Sequence, residues 1–167
     1  MMQFDNAKQS FIANWGELGT KWGISKTKAQ MHALLLISPN PLCTDQIMAE
    51  LEISRGNACM NLKGLSDWGL VHKKCMEGCR KEYYYAEKDI FIVFRQILIH
   101  RKKEELEPLL MLLDNCSSVE ESCQDSTEFC KIIKELKIFS SKADTTLDKL
   151  LQTNPNWFVT SFLRMIP

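Results

Sequence analysis

Side chains that can pair with the edges of DNA bases lie close together at Arg55, Asn57 and Asn61. An arginine guanidinium group pairs with guanine, and an asparagine carboxamide pairs with adenine, each through two hydrogen bonds. Asn57 and Asn61 are four residues apart, so they would share one face of a helix. This spacing predicts a helix whose polar face reads base edges in the major groove. A merely solvated helix face has the same composition, and both interpretations stay open here.

Groups suited to binding phosphate flank this segment on both sides. Thr44 and Ser54 are each expected to cap the start of a helix, where exposed backbone amides can bind a phosphate. Residues 53–81 include six basic side chains and two acidic ones, a net charge of +4 in a chain whose total charge is zero. The cations expected to contact phosphates or the minor groove are Lys63, Lys73, Lys74, Arg80 and Lys81.

Helix caps and turn residues predict the elements that position these groups. Ser25 is expected to cap a helix from Lys26 to about Ser38, and Ser54 a helix from Arg55 to about Trp68 that Gly69 ends. A helix of about two turns would follow Thr44.

The β-structure is expected to be small. Leu42 and Cys43 are predicted to form a very short strand, and Leu70–Met76 and Lys81–Ala86 a hairpin whose turn contains Gly78. The order of helices and hairpin predicts a mainly α fold with a small β-hairpin, which is a winged helix-turn-helix.

Helical segments precede and follow this module, which gives three expected regions. Residues 1–24 would be an N-terminal helix for packing or dimerisation, residues 25–88 the winged helix-turn-helix, and residues 89–167 a C-terminal helical dimerisation region. Gly16 and Gly19 in the first helix are expected to permit close packing against another helix.

In the C-terminal region, the sequence predicts a break in one helix and the start of another. Pro108 should kink or divide a long helix that begins at Asp89, because proline removes a backbone donor. Ser118 and Glu121 form a capping box, which predicts a second helix reaching Leu151. The residues expected to supply its buried side are Val119, Cys123, Phe129, Ile133, Leu136 and Phe139.

Seven cysteines in a chain without a recognisable secretory signal predict reduced thiols in the cytoplasm. Cys75 and Cys79 flank the hairpin turn, and Cys116, Cys123 and Cys130 recur every seven residues, as if presented by one helix. Redox or metal sensing is one interpretation, and a buried helical stripe is the other. The three histidines lack the spacing of zinc ligands. We therefore expect no cofactor and no metal.

Beyond these signals, the sequence resembles the GbsR branch of the MarR-type winged helix-turn-helix regulators over about two thirds of its length. The segments that carry the resemblance before the hairpin are Trp15-Gly16-Glu17-Leu18-Gly19, Lys21-Trp22-Gly23, Ala29 to Leu35, Ser38-Pro39, Pro41-Leu42, Ser54-Arg55-Gly56-Asn57, Asn61-Leu62, Leu65 and Trp68-Gly69-Leu70-Val71. Those from the hairpin onward are Gly78, Arg80-Lys81-Glu82-Tyr83, Lys88-Asp89, Phe94-Arg95, Arg101-Lys102 and Pro108.

The resemblance implies a homodimer whose terminal helices form the interface and whose two wings grip one palindromic site. It also implies a small-molecule effector. Trp15, Trp22 and Trp68 could line a pocket for one, and aromatic rings attract quaternary ammonium groups. Aromatic residues at helical spacing are otherwise ordinary core. Cys79 departs from the family pattern, which usually has an acid there to orient the arginine of the wing.

The function expected from these observations is sequence-specific binding of duplex DNA by a homodimeric transcriptional regulator, with repression favoured over activation. The alternative is a winged-helix module that binds proteins and not DNA. No nucleophile–base pair, phosphate loop or metal cluster is recognisable, so no catalytic residue is assigned and an enzyme is not expected. No apolar run approaches the length of a membrane span, so no membrane contact is expected.

Overall fold

The computed structural model of the protein describes residues 3–75, 80–120 and 122–152. The chain divides into two compact units, Met1–Gln96 and Ile97–Pro167. In chain order the elements are α1 (Phe4–Lys21), α2 (Lys26–Ile37), β1 (Leu42–Cys43), α3 (Thr44–Leu51), α4 (Arg55–Asp67), β2 (Val71–Cys75), β3 (Glu82–Ala86), α5 (Ile90–Arg101), a π-helical segment (Lys102–Leu106), α6 (Glu107–Cys116) and α7 (Gln124–Gln152).

The first unit is built around α2, whose residues Met31, Ala33, Leu34 and Leu35 are almost fully buried. Helix α1 lies very close to it at Gly19. A Cβ atom on this glycine would lie 2.4 Å from the Cβ of Ala29, which is closer than two carbon atoms can approach. The predicted close packing at Gly19 is therefore confirmed.

Both ends of α2 are held by side chains. The Ser25 hydroxyl accepts a hydrogen bond from the amide of Lys28 at 3.3 Å, which confirms the predicted cap. At the other end, the Lys88 ammonium donates to the carbonyl oxygens of Leu35 and Ser38, both at 2.9 Å, and to that of Leu36. A cation at a helix C-terminus is stabilising because the last carbonyls carry partial negative charge.

Helices α3 and α4 form the expected helix-turn-helix. Ser54 accepts a hydrogen bond from the Asn57 amide at 3.3 Å and caps α4, while Gly69, at φ +69°, follows its end. The predicted cap at Thr44 is wrong by one residue. Thr44 is the first residue of α3, and the preceding Cys43 amide donates to Gln46 Oε1 at 2.9 Å.

The sheet has three antiparallel strands in the order β1-β3-β2. Leu42 pairs with Tyr84, and β2 pairs with β3 from Val71 opposite Ala86 to Cys75 opposite Glu82. These pairings confirm the short strand and the hairpin, and thus the mainly α fold of a winged helix. The expected turn at Gly78 lies outside the described residues.

The long helix that follows Asp89 is divided, as Pro108 predicts, because the π-helical segment separates α5 from α6. The π-helical segment ends at Leu106, and Pro108 lies in the first turn of α6, where a missing backbone donor costs least. Lys102 of the π-helical segment lies 3.0 Å from Asp144 Oδ1 and also pairs with Asp148. These ion pairs join the π-helical segment to α7.

Helix α7 begins later than predicted and packs on a different face. It starts at Gln124, and the Ser126 hydroxyl accepts hydrogen bonds from the Ser122 and Cys123 amides, both at 2.9 Å. The predicted capping box at Ser118 is therefore not where the helix starts, and its partner Glu121 lies outside the described residues. Of the residues expected to be buried, Ile133 is partly buried, whereas Val119, Cys123, Phe129, Leu136 and Phe139 are exposed.

Candidate nucleic-acid interface

The outward face of α4 differs in composition from the predicted one. Ala58, Leu62 and Leu65 are buried, as expected for the inner stripe. The exposed residues along the helix are Arg55, Gly56, Cys59, Met60, Lys63, Ser66 and Asp67. Arg55 and Lys63 thus lie where sequence reasoning placed them, while Gly56, Cys59 and Met60 are additions to this face.

Asn61 does not belong to the exposed face, so its prediction as an exposed residue is wrong. Only 3% of its surface is accessible. Its Oδ1 accepts a hydrogen bond from the Ser25 hydroxyl at 3.4 Å, and its Nδ2 donates to the Asn57 carbonyl at 3.0 Å. Asn61 therefore connects the start of α2 to α4 from inside the unit, a buried polar role that satisfies its carboxamide.

Asn57 is half-buried and is positioned by Asn61. The Asn61 carboxamide also donates to Asn57 Oδ1, at 2.5 Å. One side of the Asn57 carboxamide therefore faces the protein. Adenine needs both a donor and an acceptor from the same amide. Asn61 occupies one of the two lone pairs of Asn57 Oδ1, so two-bond pairing with a base would have to use the other lone pair together with the Asn57 NH2 group.

The acidic side chain of Asp45, on α3, holds together two of the predicted DNA-contacting cations. Arg55 Nη2 lies 2.5 Å from Asp45 Oδ1, and Lys81 Nζ lies 3.0 Å from Asp45 Oδ2. The pKa of Asp45 is held below its ordinary value by its hydrogen bond to Lys81 and the charge of Lys81, and then by Arg55. The same contact raises the pKa of Lys81. All three side chains are partly open to water, at 45 to 65% exposure.

These three side chains surround a cavity of about 440 Å³ between the helix pair and the wing. Cys43, Thr44, Cys59 and Arg80 also line it. Thr44 is thus near the candidate interface, although it does not cap the helix. Arg80 is exposed beside it. The site unites residues from α3, α4 and the start of β3.

A second acid reduces the positive charge of the wing. Glu82 forms an ion pair with Lys73 and accepts a hydrogen bond from the Tyr84 hydroxyl at 2.8 Å. Burial, together with that hydrogen bond, raises the pKa of Tyr84 to about 12. The +4 count over residues 53–81 stops short of Asp45 and Glu82, so it overstates the charge of this surface. Lys63 and Lys74 are exposed on it.

The three tryptophans have different surroundings. The Trp15 ring lies 5.4 Å from that of Phe11 and 6.4 Å from that of His32, centroid to centroid. The Trp68 ring lies 5.0 Å from the ammonium nitrogen of Lys28. Trp22 follows α1 and is 56% exposed. Trp15 and Trp68 therefore have ring or cation partners within the protein.

The cysteines do not form the expected helical row. Cys116 ends α6, Cys123 precedes α7 and Cys130 lies within α7, so the prediction of one helix presenting all three is wrong. A hydrogen bond with the Ser126 hydroxyl lowers the pKa of the Cys123 thiol. Within residues 3–75, 80–120 and 122–152, no group of three or more metal-ligating side chains comes together. Cys75 is exposed at the end of β2, and Cys79 lies outside these ranges.

Comparison with known proteins shows a similarity of fold. No family model and no curated protein matches the sequence. Among solved structures, the fold is similar to that of a protein named as a transcriptional regulator, with a TM-score of 0.57 and 16% identity. The similarity covers 88% of this chain and 99% of that chain. In the part of the chain that the structure describes, no helix is both long and apolar enough to cross a membrane.

Proposed function

We propose that the protein binds duplex DNA as a transcriptional regulator, with α4 as the helix that enters the major groove. The observation that carries this proposal is the outward face of α4, where Arg55 and Lys63 follow a Ser54-capped helix start. The first residues of a recognition helix are those that reach base edges. The structural neighbour named as a transcriptional regulator supports the same class.

The roles proposed for the individual residues follow their positions. Arg55 pairs with a guanine, and the backbone amides that open α4 meet a phosphate. Lys63, Lys74 and Arg80 are exposed and contact the sugar–phosphate backbone or the minor groove. Asn61 positions Asn57 and does not itself touch DNA, because it is buried.

We further propose that the protein is a homodimer through α7. Phe129, Ile132, Leu136 and Phe139 are spaced by three, four and three residues, and each is 42 to 74% exposed. This is the spacing of a coiled-coil seam. The face of α7 that turns inward includes Ser140, which is buried, and the ion pair of Lys137 with Asp114 at 2.7 Å. An apolar stripe thus points outward, where a second copy would cover it.

Two recognition helices in such a dimer would favour a palindromic site, as the resemblance to the GbsR branch of MarR-type regulators implies. Repression by occupancy of that site is the proposed mode. We also propose that a small-molecule effector binds the protein, with Trp15, Trp22 and Trp68 as its candidate contacts. Location in the cytoplasm is proposed with it.

One observation favours the alternative of a protein-binding module. Met60 lies at the centre of the outward face of α4 and is 68% exposed. The flexible methionine side chain can fit the varied surfaces of protein partners. The acids Asp45 and Glu82 also reduce the attraction of this surface for phosphates.

Salt dependence of binding separates the two functions. The full chain is titrated by fluorescence anisotropy against duplex DNA from its own upstream region and against a scrambled duplex, at several salt concentrations. A DNA reader prefers the native duplex and loses affinity steeply as salt rises, since phosphate contacts release counterions. Absence of binding to either duplex at low salt would contradict the proposal and favour the protein-binding module.

A further inference from the structure

We infer that Asp45 is a specificity-determining residue that acts by restraining Arg55 and Lys81 and by repelling phosphates. The inference rests on the proposed DNA-binding function and deepens it. Asp45 lies on α3, whereas Arg55 opens α4 and Lys81 immediately precedes β3. One carboxylate oxygen faces each cation, so a single acid joins the recognition helix to the wing.

The first part of the role is electrostatic. A carboxylate at the candidate interface repels every phosphate that approaches, whatever the base sequence. It also offsets two cations that would otherwise contribute to binding of any duplex. Binding without sequence preference depends almost entirely on such phosphate contacts. Asp45 therefore weakens non-specific binding more than specific binding.

The second part is positioning of Arg55. The Asp45 oxygen contacts Nη2 of Arg55. A guanidinium group has five donors in a planar fork, so a carboxylate on one side leaves other donors for a base. A side chain fixed in this way loses less conformational freedom when it pairs with guanine. The positioning favours a duplex that offers a guanine in the right place.

The test is Asp45→Asn in the full chain, which keeps the shape of the side chain and removes its charge. We expect affinity for the scrambled duplex to rise about five- to tenfold, since one contact between unit charges in water is of about that strength. Affinity for the native duplex should rise less, so the ratio of the two affinities falls. The slope of log affinity against log salt should steepen by about one for each new phosphate contact.

The matched control is Glu50→Gln, an equal change of charge on the same helix. Glu50 pairs with Lys8 of α1 at 2.7 Å and not with a candidate DNA-contacting residue. We expect it to leave the affinity ratio as in the parent protein. A second experiment distinguishes the positioning of Arg55 from the electrostatic effect of Asp45. It repeats Asp45→Asn in an Arg55→Ala background, where Asp45→Asn should no longer change the base preference at the position that Arg55 reads.

Three results would overturn the inference in distinguishable ways. If the parent protein prefers its native duplex and Asp45→Asn keeps the same affinity ratio without weakening binding to either duplex, Asp45 has no part in specificity and the proposed function stands. If the parent protein does not discriminate between the duplexes, the proposed function and the role of Asp45 both fail. An equal fall in affinity for both duplexes would assign Asp45 to folding of the wing.

Discussion

At the scale of single residues, the proposed interface combines exposed cations with acids that restrain them. Arg55 contacts Asp45, and Lys73 pairs with Glu82, so the charge of each cation is partly offset by an acidic partner. Exposed ion pairs contribute little to stability. Their proposed effect at this surface is instead to set how strongly it attracts phosphates.

The separate roles proposed for Arg55 and Lys63 predict different binding defects. Arg55→Ala should weaken binding to the native duplex by about 1–3 kcal/mol and relax the preference at one base pair. Lys63→Ala should weaken native and scrambled duplexes alike and reduce the salt slope by about one. Anisotropy titrations with a set of duplexes altered at single positions measure both. Unchanged base preference after Arg55→Ala would contradict its role.

Gly56 predicts a conflict between stability and binding. A Cβ atom there would meet no atom within 4 Å, yet the position is occupied by a residue that disfavours helix. We expect Gly56→Ala to raise the free energy of unfolding by about 0.5–1 kcal/mol, because alanine is the better helix former. The same methyl group should weaken DNA binding, since it projects from the proposed interface.

Urea unfolding and anisotropy together test this expectation. The control is Gly64→Ala, also in α4, whose Cβ would lie 3.0 Å from Lys28 Nζ on the protein side. That variant should bind DNA like the parent protein. If Gly56→Ala also binds normally, the DNA does not approach α4 at this point.

The contacts that the sequence did not predict are those between residues far apart in the chain. Asp45 and Lys81 are 36 residues apart, and Ser25 and Asn61 also 36 apart. Their contacts depend on how α2, α3, α4 and the wing pack, which no local pattern encodes. Arg55 and Lys63 could be placed because their positions follow from the helix period alone.

At the scale of elements, α2 contains a buried titratable group. His32 is 4% exposed, and its Nε2 has no hydrogen-bond partner among the described residues. Burial, with a smaller contribution from the charge of Lys88, lowers the pKa of His32 to about 4. The folded protein therefore favours the neutral ring.

This pKa predicts a loss of stability on mild acidification. The unfolded chain binds a proton at His32 near pH 6.5, whereas the folded chain does so only near pH 4, so stability falls as the pH drops through that window. Between pH 7 and pH 5 we expect a loss of about 2 kcal/mol from this group. Urea unfolding at the two pH values, compared with His32→Leu, measures it. The variant should lack this loss, and an identical pH dependence would contradict the assignment.

Several element boundaries were predictable because local chemistry sets them. The hydroxyl groups of Ser25 and Ser54, the glycine at 69 and the proline at 108 each act within a few residues of their own position. The buried face of α7 was not predictable in this way, because it depends on how α7 packs against α6 and the π-helical segment. The apolar residues Phe129, Leu136 and Phe139 therefore appeared to be core when they are exposed.

At the scale of the whole molecule, the exposed stripe on α7 predicts a dimer that a single charge can break. Phe139 is 74% exposed, and Phe139→Glu should shift the protein from dimer to monomer, because an ion would have to be buried without a partner. Sedimentation at micromolar concentration measures the change. Affinity for a palindromic duplex should fall with it.

The control for this change is Ser141→Glu, an exposed position on another face of α7. It should leave the dimer and the DNA affinity intact. A monomeric parent protein, or a Phe139→Glu variant that still sediments as a dimer, would contradict the proposed role of the stripe.

In the proposed dimer, where a second copy covers the apolar stripe of α7, the lifetime of the protein would also depend on its abundance. For a dimer that unfolds to separate chains, each tenfold dilution lowers the free energy of unfolding by about 1.4 kcal/mol per dimer. A cell with few copies would thus expose more Phe129 and Phe139 to proteases than a cell with many. In that dimer, α7 would set a minimum concentration below which the protein is removed by degradation.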